Sequence, residues 1–272
     1  MPKFSATSGR HLILLLPFGY AFQSRYHWPR DFMVNALTAW VPGVILVALL
    51  GDLTISDAFI RYLLGYASFI CIYELGYLAN DTIGLRHDPT PRRRIDIGFS
   101  AGFIVAFIVV RLSIGLAAAV VLGVANSGLY WASVSALVAG LIAHNTLRSV
   151  ELKFYTFLQL SLLRFTLPVL PALLIDAGTT AILTSFATAL LLFTLPRFLT
   201  YLDAKGRLTL PERKARTYHL KTHVAVLPLV ILLSVLTDET APLVCLIWGV
   251  AVQLVYVTRG RLPTRFPGVT QP

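Results

Sequence analysis

From Val34 to Val257 the sequence is a succession of apolar blocks separated by short polar connections. Crossing the hydrocarbon of a bilayer takes about 20 apolar residues in a helix. Blocks at 34–51, 58–79, 97–123, 129–145, 156–175, 180–201, 222–237 and 240–257 therefore predict eight spans. No other fold class accommodates this pattern, so the expectation is an all-α polytopic helix bundle. Composition agrees: charged residues are 13% of the chain, where a soluble domain has about 25%. That deficit excludes a disordered chain and a water-soluble globule.

The distribution of charge orients the bundle. The 272 residues hold 23 Lys+Arg against 13 Asp+Glu, a net charge of +10. In a soluble protein this excess would raise nucleic acid as a partner. In a membrane protein it reports topology, and nucleic acid is not expected. With eight spans, the connections 1–33, 80–96, 146–155, 202–221 and 258–272 hold 19 of the 23 basic residues. The opposite connections hold none, but carry Asp52, Asp57, Asp176, Asp238 and Glu239. The remaining Arg61, Arg111, Arg164 and Arg197 lie inside spans. Both termini are thus expected in the cytoplasm. Dividing 97–123 into two crossings would break the pattern. It reads as one long span, with a kinked or re-entrant element as the alternative and nine spans in place of eight.

The chain reads as one membrane domain. Residues 1–33 form an N-terminal segment, 34–257 the bundle and 258–272 a cytoplasmic tail. The run Leu12 to Phe22, flanked by Arg10 and Arg25 with Tyr26 and Trp28 nearby, is too short to cross and predicts an interfacial helix. A signal peptide is disfavoured because no small-residue cleavage site follows. Cys71 and Cys245 sit inside apolar blocks, so no disulfide framework or zinc cluster is expected.

Polar residues inside spans mark function by default. Glu74 precedes Tyr77, Asn80 and Asp81, and the helical repeat puts Glu74, Tyr77 and Asp81 on one face with Tyr73 and Asn80 at its edge. An arginine cluster, Arg92 to Arg94, follows directly, with Asp88 between. Carboxylates hold Mg²⁺, which keeps coordination positions for phosphate, and arginine binds phosphate by forked hydrogen bonds. A diphosphate–Mg²⁺ site at the membrane surface is the chemistry this suggests. An ordinary helix end with a positive-inside loop is the plain alternative.

A second cluster follows the sixth span: Arg197, Tyr201, Asp203, Lys205 and Arg207, then Glu212, Arg213, Lys214 and Arg216. These basics suit phosphate or anionic lipid headgroups. A third group ends the fourth span, His144, Asn145, Arg148, Lys153 and Tyr155. Gln159 and Arg164, within the fifth span, cannot face lipid comfortably. His219 and His223 are four apart but have no acidic partner nearby, so packing is expected of them. Motifs for hydrolase, zincin, P-loop or Rossmann chemistry are absent.

These clusters resemble the UbiA-type intramembrane prenyltransferases, in which an Asn-Asp-x-x-Asp-x-x-x-Asp motif follows the second helix and another Asp-rich motif follows a later one. Asn80-Asp81 matches the opening pair. Position 84 is Gly where the middle Asp is expected, and Asp88 lies one residue beyond the last. Thr90-Pro91-Arg92 resembles the segment after the motif. Asp203-Ala204-Lys205-Gly206-Arg207 resembles the second motif with a single Asp, and Leu147-Arg148 through Lys153-Phe154-Tyr155 resembles the Tyr/Lys segment after the fourth helix.

The resemblance implies transfer of an isoprenoid group from a polyprenyl (di)phosphate to a small acceptor, with Mg²⁺ as cofactor and the prenyl chain in a groove open to lipid. Asp81 and Asp203 would be the metal ligands, assisted by Asn80 and Asp88. Arg92, Arg148, Lys153, Lys205 and Arg207 would hold phosphate together with Tyr155, Arg197 and Tyr201, and Glu74 and Tyr77 would be acceptor-side or supporting groups. The missing acids leave open one metal in place of two, a monophosphate substrate, a terpene cyclisation, or a non-catalytic membrane carrier or assembly protein.

Overall fold

The computed structural model describes residues 12–25, 29–82, 95, 99–214 and 216–259. Among them there are helices and no strands. A helical turn at 12–15 leads into α1 (Gly19–Arg25). The chain continues through α2 (Pro29–Asn35), α3 (Val41–Leu50), α4 (Ile55–Thr82), α5 (Ala101–Val121), α6 (Gly128–Thr146), α7 (Val150–Thr166) and α8 (Leu170–Asp176). It closes with α9 (Thr179–Ala189), α10 (Leu195–Ala204), α11 (Pro211–Lys214), α12 (Tyr218–Thr237) and α13 (Ala241–Arg259).

Six of these stretches are long and apolar enough to cross a membrane: Asp31–Leu50, α4, α5, Thr179–Ala204, α12 and Ala241–Thr258. A seventh, α7 with α8, qualifies only as a pair bent by 53°. The fourth expected block became α6, whose 19 residues are diluted by Ser133, Ser135, His144 and Asn145. The third block is one unbroken helix, α5.

Proline explains the irregular helices. Pro cannot donate an i→i−4 bond and its ring crowds the preceding turn. Wide π turns, Ala36–Trp40 and Leu190–Thr194, stand directly before Pro42 and Pro196. Each joins two helices into one span by absorbing the missing bond. At Pro168 and Pro171 the break becomes the bend between α7 and α8. Gly65 of α4 lies flush on the Pro168 carbonyl, where any Cβ would collide with backbone. Ser100, Ser127 and Ser149 start α5, α6 and α7 by accepting a hydrogen bond from the third residue onward, worth about 1 kcal/mol each.

The core sits around α4, with Leu46, Val47, Tyr62, Phe69, Leu163, Leu170, Leu173 and Leu192 all buried. Large apolar side chains such as Val121, Leu183, Val235, Leu236 and Ile247 lie on the outside, as lipid-facing helices require. These features make the molecule a membrane helix bundle.

Candidate functional site

Helix α4 sorts its polar residues onto two sides. Tyr66, Ile70, Tyr73, Tyr77 and Asn80 recur every three or four residues and face a common hollow. Glu74 and Asp81 point about a quarter turn away, toward α1 and α5. The grouping of Glu74, Tyr77 and Asp81 on one face therefore divides: Tyr77 belongs with Tyr73 and Asn80.

Glu74 is consumed by a buried hub. Its carboxylate meets Arg111 of α5 at 2.7 Å, and both side chains are 0% exposed. It also accepts from the Ala21 backbone N–H at 2.7 Å. Arg111 donates to the carbonyls of Leu14, Leu15 and Leu16 at 2.9, 2.6 and 2.7 Å and lies over the Phe107 ring. A guanidinium has five donors, and here its two terminal nitrogens serve the carbonyls at a broken helical turn, of which that of Leu16 also accepts from the Gly19 N–H. The N-terminal segment is thus drawn into the bundle rather than lying wholly in the interface. Leu14, Tyr20, Ala21 and Ser24 are buried, while Leu12, Ile13, Leu16 and Phe22 remain on the outer side.

The seated α1 delivers Arg25 to the hollow. Asp81 is buried and accepts from the Tyr20 hydroxyl at 2.8 Å and from the Asn80 amide at 3.1 Å. Burial, and then the neighbouring Asp81 carboxylate, push the Tyr20 hydroxyl well above its ordinary pKa, so it stays a donor. Arg25 lies 4.0 Å from Asp81 Oδ1, the oxygen that accepts from Asn80, and 4.1 Å above the Tyr77 ring. Asp81 and Tyr77 together fix its guanidinium at the mouth of the chamber.

The chamber has a volume of about 430 Å³, within the range of small-molecule sites. Arg25, Arg164 and Arg197 line it, with no Asp or Glu among the described lining residues. Asn80, His144, Asn145, Tyr73, Tyr77 and Tyr201 add hydrogen-bonding groups, and Tyr66, Phe69 and Phe157 supply aromatic walls. Arg164 donates to Asn35 at 3.0 Å, and Arg197 lies 5.7 Å from the Phe157 ring. Phe157 and Tyr201 stack at 3.8 Å. His144 Nδ1 and Thr156 Oγ1 are 2.9 Å apart, holding the imidazole in place. Three guanidiniums in a hollow without carboxylates favour an anion, and planar forked donors suit phosphate best. A second, apolar groove of about 280 Å³ lies between α4 and α6. It shares Gly76, Leu141 and Asn145 with the chamber and continues over Ile72, Leu75, Val138 and Ile142.

Of the residues singled out in the sequence, Tyr73, Tyr77, Asn80, His144, Asn145, Arg164, Arg197 and Tyr201 line this chamber. Asp81 stands behind Arg25. Asp203 is used locally: it accepts from the Leu210 N–H at 3.0 Å and pairs with Arg213 at 2.5 Å, closing the turn after α10. Lys205 approaches the Tyr201 ring at 5.8 Å, and Arg207 pairs with Glu151 at 2.8 Å. Arg148 is exposed, Lys153 half-buried, and Tyr155 is 73% exposed on the outer face of α7. Asp88 and Arg92 lie outside the described residues.

The expected Mg²⁺ finds no described ligand set. No group of three His, Cys, Asp or Glu side chains among the described residues converges to hold a metal. Asp81 and Asp203 are engaged by donors and cations, and neither lines the chamber.

Arg25 was not among the expected site residues, because its sequence position reads only as a flank of the N-terminal run. Arg164 carried a signal: Phe157, Leu160, Ser161 and Arg164 follow an i, i+3, i+4, i+7 pattern, one helical face. No family model, no curated protein and no solved structure matches the chain.

Proposed function

We propose that the chamber receives the phosphorylated head of an isoprenoid lipid, and that the protein is a prenyltransferase-like membrane enzyme. The observation that carries this reading is a hollow bearing three arginines, aromatic walls and, among the described residues, no lining carboxylate, beside an apolar groove that shares Gly76, Leu141 and Asn145 with it. Arg25, Arg164 and Arg197 hold the (di)phosphate, with Tyr73, Tyr77, Asn80 and Asn145 as further donors. The chain would reach the groove between α4 and α6 by displacing the Leu141 side chain, which packs on Gly76. The basic end of the bundle, where the chamber opens, is assigned to the cytoplasm by the positive-inside bias.

In the transfer step the allylic C–O bond breaks and its electron pair leaves with the phosphate, stabilised by the guanidiniums. The aromatic faces of Tyr66, Phe69 and Phe157 stabilise positive charge on the allylic carbon. A nucleophile of the acceptor forms the new bond to that carbon, and the released phosphate takes the acceptor's proton. No step is assigned to Mg²⁺, because the described residues do not fit it; bound in a site completed by other residues, it would neutralise the leaving diphosphate.

The test is binding of farnesyl diphosphate to the purified protein in lipid nanodiscs, followed by release of diphosphate in the presence of membrane extract as a source of acceptor. Saturable binding and extract-dependent release are expected. Absence of saturable binding overturns the reading. The lack of a metal-ligating group among the described residues favours a second reading, a carrier or assembly partner for phosphorylated lipid. Binding without release, together with metal-independent transfer between vesicles, selects it. Release without an acceptor, yielding a cyclic product, would instead identify a terpene cyclase.

A further inference from the structure

A larger cavity of about 680 Å³ lies on the far side of Arg25 and Arg197, among α2, α10, α12 and α13. These two arginines line both hollows and form the wall between them. The second cavity is graded along its depth. Asp31, Asn35, Thr200, His219 and Gln253 lie toward one end. Pro42, Leu192, Phe193 and Trp248 come from positions one to three helical turns deeper along the same elements. A polar mouth over an apolar floor is the shape of an amphiphile.

Charge separates the two hollows. The chamber has three lining arginines and no acid, whereas Asp31 lines the second cavity beside the two shared arginines. An anion in the chamber draws on Arg25 and Arg197, so a second anion across the wall would meet weakened cations and a carboxylate. A neutral head group faces no such opposition, and Asn35, Thr200 and Gln253 offer it amide and hydroxyl partners. His223 is buried on the cavity wall. Its Nδ1 is 2.5 Å from the His219 carbonyl, which can only accept, so the proton resides on Nδ1 and Nε2 keeps its lone pair.

We propose that this cavity is a separate binding site for a neutral, hydroxyl-headed amphiphile, occupied at the same time as the anion chamber. Its role as the acceptor's site rests on the transferase reading; binding itself does not.

The test uses two photoreactive probes carrying a diazirine near the chain terminus, a ten-carbon alcohol and the matching carboxylic acid, with the full chain in phosphatidylcholine nanodiscs. Irradiation should label α12 or α13 with the alcohol, and saturating farnesyl diphosphate should leave that labelling unchanged while displacing the acid. Val252→Trp, which fills the cavity, should lower alcohol labelling about tenfold. Gln253→Leu, which keeps the volume, should weaken it several-fold and guards against misfolding of the larger substitution. Asn145 lines the chamber and not this cavity, so Asn145→Ala should weaken farnesyl diphosphate binding without altering alcohol labelling. Labelling spread over the lipid-facing helices and unchanged in both cavity variants overturns the proposal, as does displacement of the alcohol by farnesyl diphosphate. Wild-type protein that fails to bind farnesyl diphosphate, yet is labelled by the alcohol and blocked by Val252→Trp, supports this site and overturns the donor reading alone.

Discussion

Two groups of charges lie inside this bundle, and they are arranged oppositely. Glu74 and Arg111 face each other in a closed hub, with the two terminal guanidinium nitrogens also donating to three backbone carbonyls. Arg25, Arg164 and Arg197 instead turn toward a hollow. Burying charge is costly in both places. In the hub the compensation comes from the chain, so its product is architecture. In the chamber the guanidiniums, each with partners in the protein, also line a space that a ligand can enter. An intramembrane charge is therefore not sufficient to mark a binding site; what it faces decides.

The largest effect should come from breaking the hub. Arg111→Met leaves Glu74 buried without its partner and strands the carbonyls of Leu14 to Leu16. Losing one member of a buried pair costs about 3–5 kcal/mol. Thermal unfolding in detergent should show a large fall in midpoint. The double replacement Glu74→Leu with Arg111→Met should recover part of it. A single variant as stable as wild type would show that the hub holds nothing.

The next effect belongs to the chamber. Arg164→Ala should weaken farnesyl diphosphate binding by about 10–100-fold, the worth of one charge-assisted forked contact. Its unfolding midpoint should move little. The contrast between the two regions fails if Arg164→Ala unfolds the protein while leaving affinity untouched.

Asp81→Asn sharpens the comparison, because Asp81 stands between hub and chamber. Losing the charge that holds Arg25 should weaken binding about 3–10-fold, equally with Mg²⁺ and with EDTA. If wild-type binding collapses in EDTA and Asp81→Asn abolishes that dependence, Asp81 is a metal ligand and the arginines are secondary. The smallest effects are expected at the rim. Tyr155→Ala and Arg207→Ala should leave affinity unchanged within error, since Tyr155 faces outward and Arg207 is paired with Glu151 at the surface.

The helical class and the apolar spans were legible because hydrocarbon demands long uninterrupted blocks, and α4, α5, α12 and α13 obey that demand. The bend at Pro168 and the weaker α6 were not, since both depend on local chemistry within an apolar stretch. Within the site, Tyr77, Asn80, Arg197 and Tyr201 were legible from helical spacing at span ends. The partition of α4 was not: a helix has room for two neighbours within a quarter turn, and sequence spacing alone does not say which neighbour each sector meets. Arg25 was hidden for a different reason. Its place depends on Arg111, which captures backbone carbonyls, and carbonyls have no signature in a sequence.

That capture has a consequence for how the protein is made. Leu15 and Arg111 are 96 residues apart, so the segment carrying Leu15 is made well before the middle of α5 on which it docks. Until then Arg25 and Tyr20 have no fixed position, and the hollow beneath them has no roof. Arg25 is thus made early and seated late, after α4 and α5 have met. A nascent chain stopped before Arg111 would hold Arg25 without the contacts that seat it, and Arg164 and Arg197, the other two arginines of the hollow, would not yet have been made.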